Sequence, residues 1–188
     1  MSENLRWYTK AIYGFDHVVR LAPPDSWDNP SPCEGWTARS VVGHLIGVQR
    51  YLASTITGEE VTMNPMVDPH LHAGDDPAAA WAAARDHVLE VLDHPDVIHR
   101  MVNTFRGMET VDEMIGNNVS DTTIHAWDLA RALGVDTKLD PGLVERASRN
   151  TLPVADSMRN PMVFGDRVDP ANPNDPQSVL LAAAGRRG

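Results

Sequence analysis

The chain has 188 residues, 42% of them hydrophobic and 22% charged, proportions that suit one globular domain with its own core. A formal net charge of −10, with no basic run longer than Arg186-Arg187, speaks against a nucleic-acid backbone or an anionic membrane surface as partner. The single cysteine, Cys33, allows no internal disulfide, MSENLRWYTK lacks signal-peptide order, and no run approaches the ~20 apolar residues of a membrane span, so a cytoplasmic location is expected.

Helical periodicity dominates from the start. Leu5, Tyr8, Ile12, Phe15, Val18 and Val19 predict a helix over 3–21, stopped by Pro23-Pro24. Residues 25–36, with two prolines and a glycine, read as a loop. Thr37 can cap a second helix over 38–57, with Gly58 just beyond it. A loop over 59–75 follows, and Asp76-Pro77 opens a third helix that stops before Pro95. Thr110-Val111-Asp112-Glu113 is a capping-box pattern for a fourth helix ending at Gly134. Asp140-Pro141 opens a fifth, which Pro153 should kink or end. The rest reads as an extended tail with one short helix after Asp175-Pro176. Together these predict an all-α fold, a helical bundle formed by a single domain over 1–188.

The fourth helix carries the informative anomaly. Asp121 and His125 are four apart and project from one face, with Asn118 and Asp128 close to the same line, on a mainly apolar stripe. Buried polar groups need partners, because leaving them unpaired costs several kcal/mol each. His44 lies between Val41, Leu45 and Val48 on the core-facing stripe of the second helix and offers a partner. Two imidazoles and one carboxylate suit a divalent first-row ion, with zinc favoured and nickel or manganese admissible, and three protein donors leave one position open. The same spacing also fits a helix-surface ion pair, and a core histidine also fits a hydrogen-bonded structural role.

Other residues carry weaker signals. His70 and His72 form a loop H-x-H that suits a surface metal pair but is more often solvated. Cys33, near the start of the second helix, reads as a reactive thiol or as a small inert side chain. Asp128 reads either as an acceptor for a ligand histidine or as an exposed or capping carboxylate. Trp36 and Trp127 read as bundle packing, and His17, His87, His94 and His99 have no partner at metal spacing. No phosphate loop, nucleophile elbow or dinucleotide fingerprint is present.

Two segments resemble the signatures of a known family. Pro32-Cys33-Glu34-Gly35-Trp36-Thr37 followed by Val41-Val42-Gly43-His44-Leu45, and the later run Asp121-Thr122-Thr123-Ile124-His125-Ala126-Trp127-Asp128-Leu129-Ala130, are similar to those of actinobacterial DinB-like proteins related to the metal-binding domain of mycothiol-dependent maleylpyruvate isomerase. Phe164-Gly165 and the closing 180–186 stretch resemble that group as well. The resemblance implies a DinB/YfiT-like four-helix bundle with a C-terminal helix and extended tail. It also implies a divalent metal held by His44, Asp121 and His125, and mycothiol or a related thiol as co-substrate. Asp121 stands where the isomerase has the longer glutamate, and the sequence carries no counterpart of that enzyme's C-terminal domain, so its isomerase activity is not expected.

The function these readings imply is a metal-dependent thiol transferase, or a related enzyme, acting on a small electrophile. The alternative is a non-catalytic bundle that binds a metal or small molecule. A homodimer is compatible with either.

Overall fold

The computed structural model describes residues 1–60, 64–159 and 164–188. Among them the elements run α1 (Glu3–Arg20), α2 (Ala38–Thr57), α3 (His70–Ala73), α4 (Pro77–Leu92), a 3-10 turn Val97–His99, strands β1 (Met101–Thr104) and β2 (Gly107–Thr110), α5 (Val111–Leu133), α6 (Pro141–Thr151) and α7 (Pro176–Ala183). The helix starts follow side-chain chemistry. Ser2, Thr37, Asp76, Asp140 and Asp175 each accept hydrogen bonds from backbone N–H groups of the first turn they cap, and Thr110 with Glu113 closes a reciprocal capping box. Prolines at the openings of α4, α6 and α7 occupy positions whose N–H has no helical acceptor.

Helices α1, α2, α4 and α5 close a four-helix bundle, with α1 along α5, α2 along α4, and cross-contacts from α2 to α5 and α1 to α4. Tyr8, Ile12, Phe15, Leu45, Leu52, Trp81, Met114 and Leu129 fill its core. Phe15 and Trp81 meet edge-on with centroids 4.6 Å apart, a favourable arrangement of ring quadrupoles. One charge, Asp16, is buried beside them. It accepts from Trp81 Nε1 at 3.2 Å, pairs with Arg20 at 2.8 Å, and also pairs with Arg85, so it does not stand uncompensated. Helix α6 packs on α5, and α7 on α6, over a second apolar cluster of Ile124, Val144, Ala147, Leu180 and Ala184.

The long helices fall where the periodicity predicts them, and the four-helix bundle is the one the family resemblance implies, with two differences. A hairpin, β1 paired antiparallel with β2 from Met101↔Thr110 to Thr104↔Gly107, precedes α5 where the sequence pattern predicts no strand. Its strands have four residues each, and its Phe105-Arg106 turn lacks the Asn-Gly or Asp-Gly signal that usually marks a two-residue loop. The expected loop over 59–75 contains α3, while its residues 61–63 lie outside the described residues.

Candidate metal centre

Helix α5 brings Asp121, His125 and Asp128 to one face, one turn apart. Helix α2 supplies His44 from the opposite side, and its setting depends on two glycines. The 64–73 segment crosses α2 over Gly43 and Gly47 so closely that a Cβ on Gly43 would lie 1.9 Å from the Pro69 carbonyl oxygen, and one on Gly47 2.9 Å from Pro65 Cβ. Without those hydrogen-only side chains the segment could not seat, and Pro65 could not accept from His44 Nδ1 at 3.1 Å.

His44 Nε2 and His125 Nε2 lie 3.4 Å and 3.5 Å from the two oxygens of Asp121. Those are the spacings of donors about 2.1 Å from a shared tetrahedral centre, which sit about 3.4 Å from one another. One ligand atom from each of the three residues lies within 4.8 Å of the others. The outer nitrogens are committed: His44 Nδ1–H donates to the Pro65 carbonyl, and His125 Nδ1–H donates to Asp128 Oδ2 at 2.9 Å. Each ring therefore turns Nε2 inward, the orientation a metal-ligating histidine needs. Trp36 covers the rings, stacked on His125 at 5.9 Å and tilted on His44 at 5.2 Å. Both imidazoles are buried, whereas 38% of the Asp121 side chain reaches the surface, so the centre opens on the carboxylate side.

The three groups also act on one another electrostatically. Burial works to raise the Asp121 carboxyl pKa, but the His125 and His44 rings outweigh it and hold it far below the ordinary carboxylate range. Burial works to lower that of His125, yet the Asp121 charge and the hydrogen bonds to Asp121 and Asp128 lift it well above the usual imidazole value. Burial likewise opposes ionisation of Asp128, and the His125 hydrogen bond with the Arg186 charge brings its pKa down to about 2. Donors that converge this way accept either a proton or a metal ion, and their chemistry fits the latter.

A second trio, Cys33, His125 and Asp128, is also close enough to share an ion. Arg186 already fills that role, donating to Asp128 at 2.9 Å and 3.2 Å and to Cys33 Sγ at 3.4 Å, while the thiol donates to Asp128 at 3.2 Å. Cys33 is thus a half-buried member of the shell behind His125, outside the His44–Asp121–His125 trio. Asp128, fully buried, is the acceptor for a site histidine and not an exposed carboxylate.

The remaining candidates from the sequence lie elsewhere on the scaffold. His70 and His72 do not form a solvated surface pair: both lie on α3, His70 exposed, His72 buried with Nε2 3.5 Å from the Asn64 carbonyl. Trp127 is buried packing, as expected, whereas Trp36 packs on the site itself. His17, His87, His94 and His99 are exposed. Arg186 closes a stretch that resembles the family, but the sequence attaches no role to it. Only the need of buried Asp128 for a counter-charge points to it.

Residues 9–130 match the family described as Mycothiol maleylpyruvate isomerase N-terminal domain. The chain belongs to that family. The match spans the bundle and contains His44, Asp121, His125 and Asp128, and the helical fold is that of the DinB/YfiT-like superfamily. Among its relatives are two uncharacterized Mycobacterium tuberculosis proteins, Rv0738 of strain H37Rv and MT0763 of strain CDC 1551. Each is 31% identical over 190 residues, covering 98% of both chains. A third from strain H37Rv, uncharacterized protein Rv0036c, is 30% identical over 139 residues, covering 64% of this chain and 52% of its own. No solved structure matches. No helix among the described residues is long and apolar enough to cross a membrane.

Proposed function

We propose that the chain is a divalent-metal protein of the thiol-transferase type, holding one ion, zinc by donor chemistry, through His44, Asp121 and His125. The observation that carries this reading is the pair of inward-turned Nε2 atoms facing the two Asp121 oxygens, with both Nδ1 atoms committed to acceptors. When bound, such an ion lowers the pKa of a coordinated thiol so that it is present as thiolate at neutral pH. Three protein donors leave room for one small ligand, and the partly exposed Asp121 marks the side from which it enters. Trp36 and the buried rings exclude water from the opposite side and hold the imidazoles in register. The proposed co-substrate is a low-molecular-weight thiol, mycothiol by family resemblance. Its thiolate sulfur forms a bond to the electrophilic carbon of a small substrate as that carbon's bond to a leaving group breaks; the leaving group departs with the electron pair, and the thiol proton passes to solvent.

Elemental analysis of protein purified without added metal should find about one divalent ion per chain, lost in His44→Ala and His125→Ala. Cobalt-substituted protein titrated with thiol should gain an intense near-ultraviolet sulfur-to-metal band, and the thiol should be conjugated to an electrophile in turnover. Metal retained in both variants would refute the site. Metal bound with no thiol band and no conjugation would leave a non-catalytic metal-binding bundle.

A further inference from the structure

The geometry points to Arg186 as a positioning residue that sets the metal affinity of the centre from outside the family-matched segment. The inference rests on the reading of His44, Asp121 and His125 as ligands. Helix α7 ends in a left-handed Gly185, φ 81°, whose N–H donates to Ala182, while Arg186 N–H donates to Leu181 at 2.8 Å. This paired closure of a helix end fixes the direction in which the chain leaves, and it aims the Arg186 side chain back toward α5. A Cβ at position 185 would lie 3.0 Å from the Gly165 backbone, so the exit path is confined as well.

The guanidinium is nearly enclosed, with 10% of the side chain exposed, and every contact it makes is directional. Nε and Nη2 grip the two Asp128 oxygens at 3.2 Å and 2.9 Å, Nη1 donates to the Ala184 carbonyl at 2.7 Å, and Nη2 reaches Cys33 Sγ at 3.4 Å. Such a two-pronged grip holds a carboxylate in one orientation, which a flexible point charge does not. Asp128 in turn has no exposure and accepts from His125 Nδ1–H at 2.9 Å. The chain Arg186–Asp128–His125 therefore fixes the rotation of the ligand ring and the nitrogen that carries its proton. Asp128 is the kind of residue behind a metal ligand whose loss typically costs about ten- to a hundredfold in affinity, and Arg186 is what holds it in place. The family match ends at residue 130, so this control comes from a part of the chain the match does not include.

The test is zinc affinity, measured by competition with a chromophoric chelator, in wild type, Arg186→Ala, Arg186→Lys and Arg85→Ala. Arg85, on α4, pairs with buried Asp16 and with Asp86, and serves as a control for general loss of stability. Arg186→Ala should bind zinc about ten- to a hundredfold more weakly, Arg186→Lys should fall between it and wild type, and Arg85→Ala should bind as wild type does. Equal affinity in Arg186→Ala and wild type overturns the inference while leaving the metal reading intact. An equal loss in Arg85→Ala also overturns it, because the effect would then run through stability. Should Arg186→Ala not fold, Arg186→Lys decides: a wild-type affinity there overturns the inference. Wild type that binds no zinc removes the metal reading and this inference together.

Discussion

Gly43→Ala isolates the contact on which the His44 side of the centre depends. Alanine in the interior of an exposed helix normally gains about 1 kcal/mol over glycine. At position 43 the new methyl would lie 1.9 Å from the Pro69 oxygen and 2.8 Å from its carbonyl carbon, both backbone atoms that no rotamer change can move. Overpacking of this kind costs about 1–3 kcal/mol, and a rigid neighbour places it at the upper end. The net expectation is a loss of about 2 kcal/mol, with the 64–73 segment lifted from α2 and the Pro65 carbonyl drawn away from His44 Nδ1. Gly14→Ala in α1 is the matched control. Its methyl would meet Leu143 Cδ1 at an ordinary 3.6 Å, and the variant should be stabilised by up to about 1 kcal/mol. Urea unfolding followed by circular dichroism gives both values, provided the slope of the transition is unchanged. Zinc affinity of the Gly43 variant should fall with its stability, because His44 loses the acceptor that sets its tautomer. If Gly43→Ala is as stable as wild type, or gains as Gly14→Ala does, the segment does not press on α2 as described and the reasoning fails.

Two further expectations concern the centre directly. Zinc at about a hundredfold excess over its dissociation constant should add about 2.7 kcal/mol to unfolding in wild type and nothing in Asp121→Ala; an equal increment in both, read from thermal melts, would place the ion elsewhere. Asp128, whose pKa is brought down to about 2 in the fold from its ordinary 3.8, contributes stability that is fully present above the ordinary value and is lost as pH falls through the lower one. Urea midpoints of metal-free protein should therefore decline on acidification between about pH 4 and pH 2, and Asp128→Asn should make that decline shallower, with Asp121 carrying the rest; an identical acid limb in the variant would show that Asp128 does not contribute.

Much of this arrangement is legible in the residues, for physical reasons that differ by element. Caps and stops are local chemistry, so Thr37 and Gly58 bracket α2 as expected and Thr110 with Gly134 bracket α5. The placing of Asp121 and His125 together follows from helix geometry alone. The pairing with His44 needs the family resemblance, because periodicity shows which face a residue occupies and not which helix it meets. The hairpin is hidden by its brevity and by an uninformative turn. The burial of His72 is hidden too, because a four-residue helix is covered or exposed according to how its segment packs on Gly43 and Gly47, a tertiary contact without periodicity. Arg186 shows in the sequence as half of a basic pair at the end of a family-like stretch, with no role attached. Its role depends on where α7 ends in space, and no pattern within 180–186 encodes the distance to Asp128.

The pairing of Arg186 with Asp128 also has a consequence in time. On the ribosome His44 is made first, Asp121 to Asp128 follow, and Arg186 comes about sixty residues later. At about 5–20 residues per second that is an interval of roughly 3–12 s, during which the ligands exist but the carboxylate behind His125 has no counter-charge. On the Arg186 proposal, a nascent chain in that interval would be a poor competitor for metal in a cell where other proteins and small thiols also bind it. If the centre holds an ion as proposed, loading would wait until α7 has docked, and a polypeptide lacking Arg186 would lose its ion to that competition more readily.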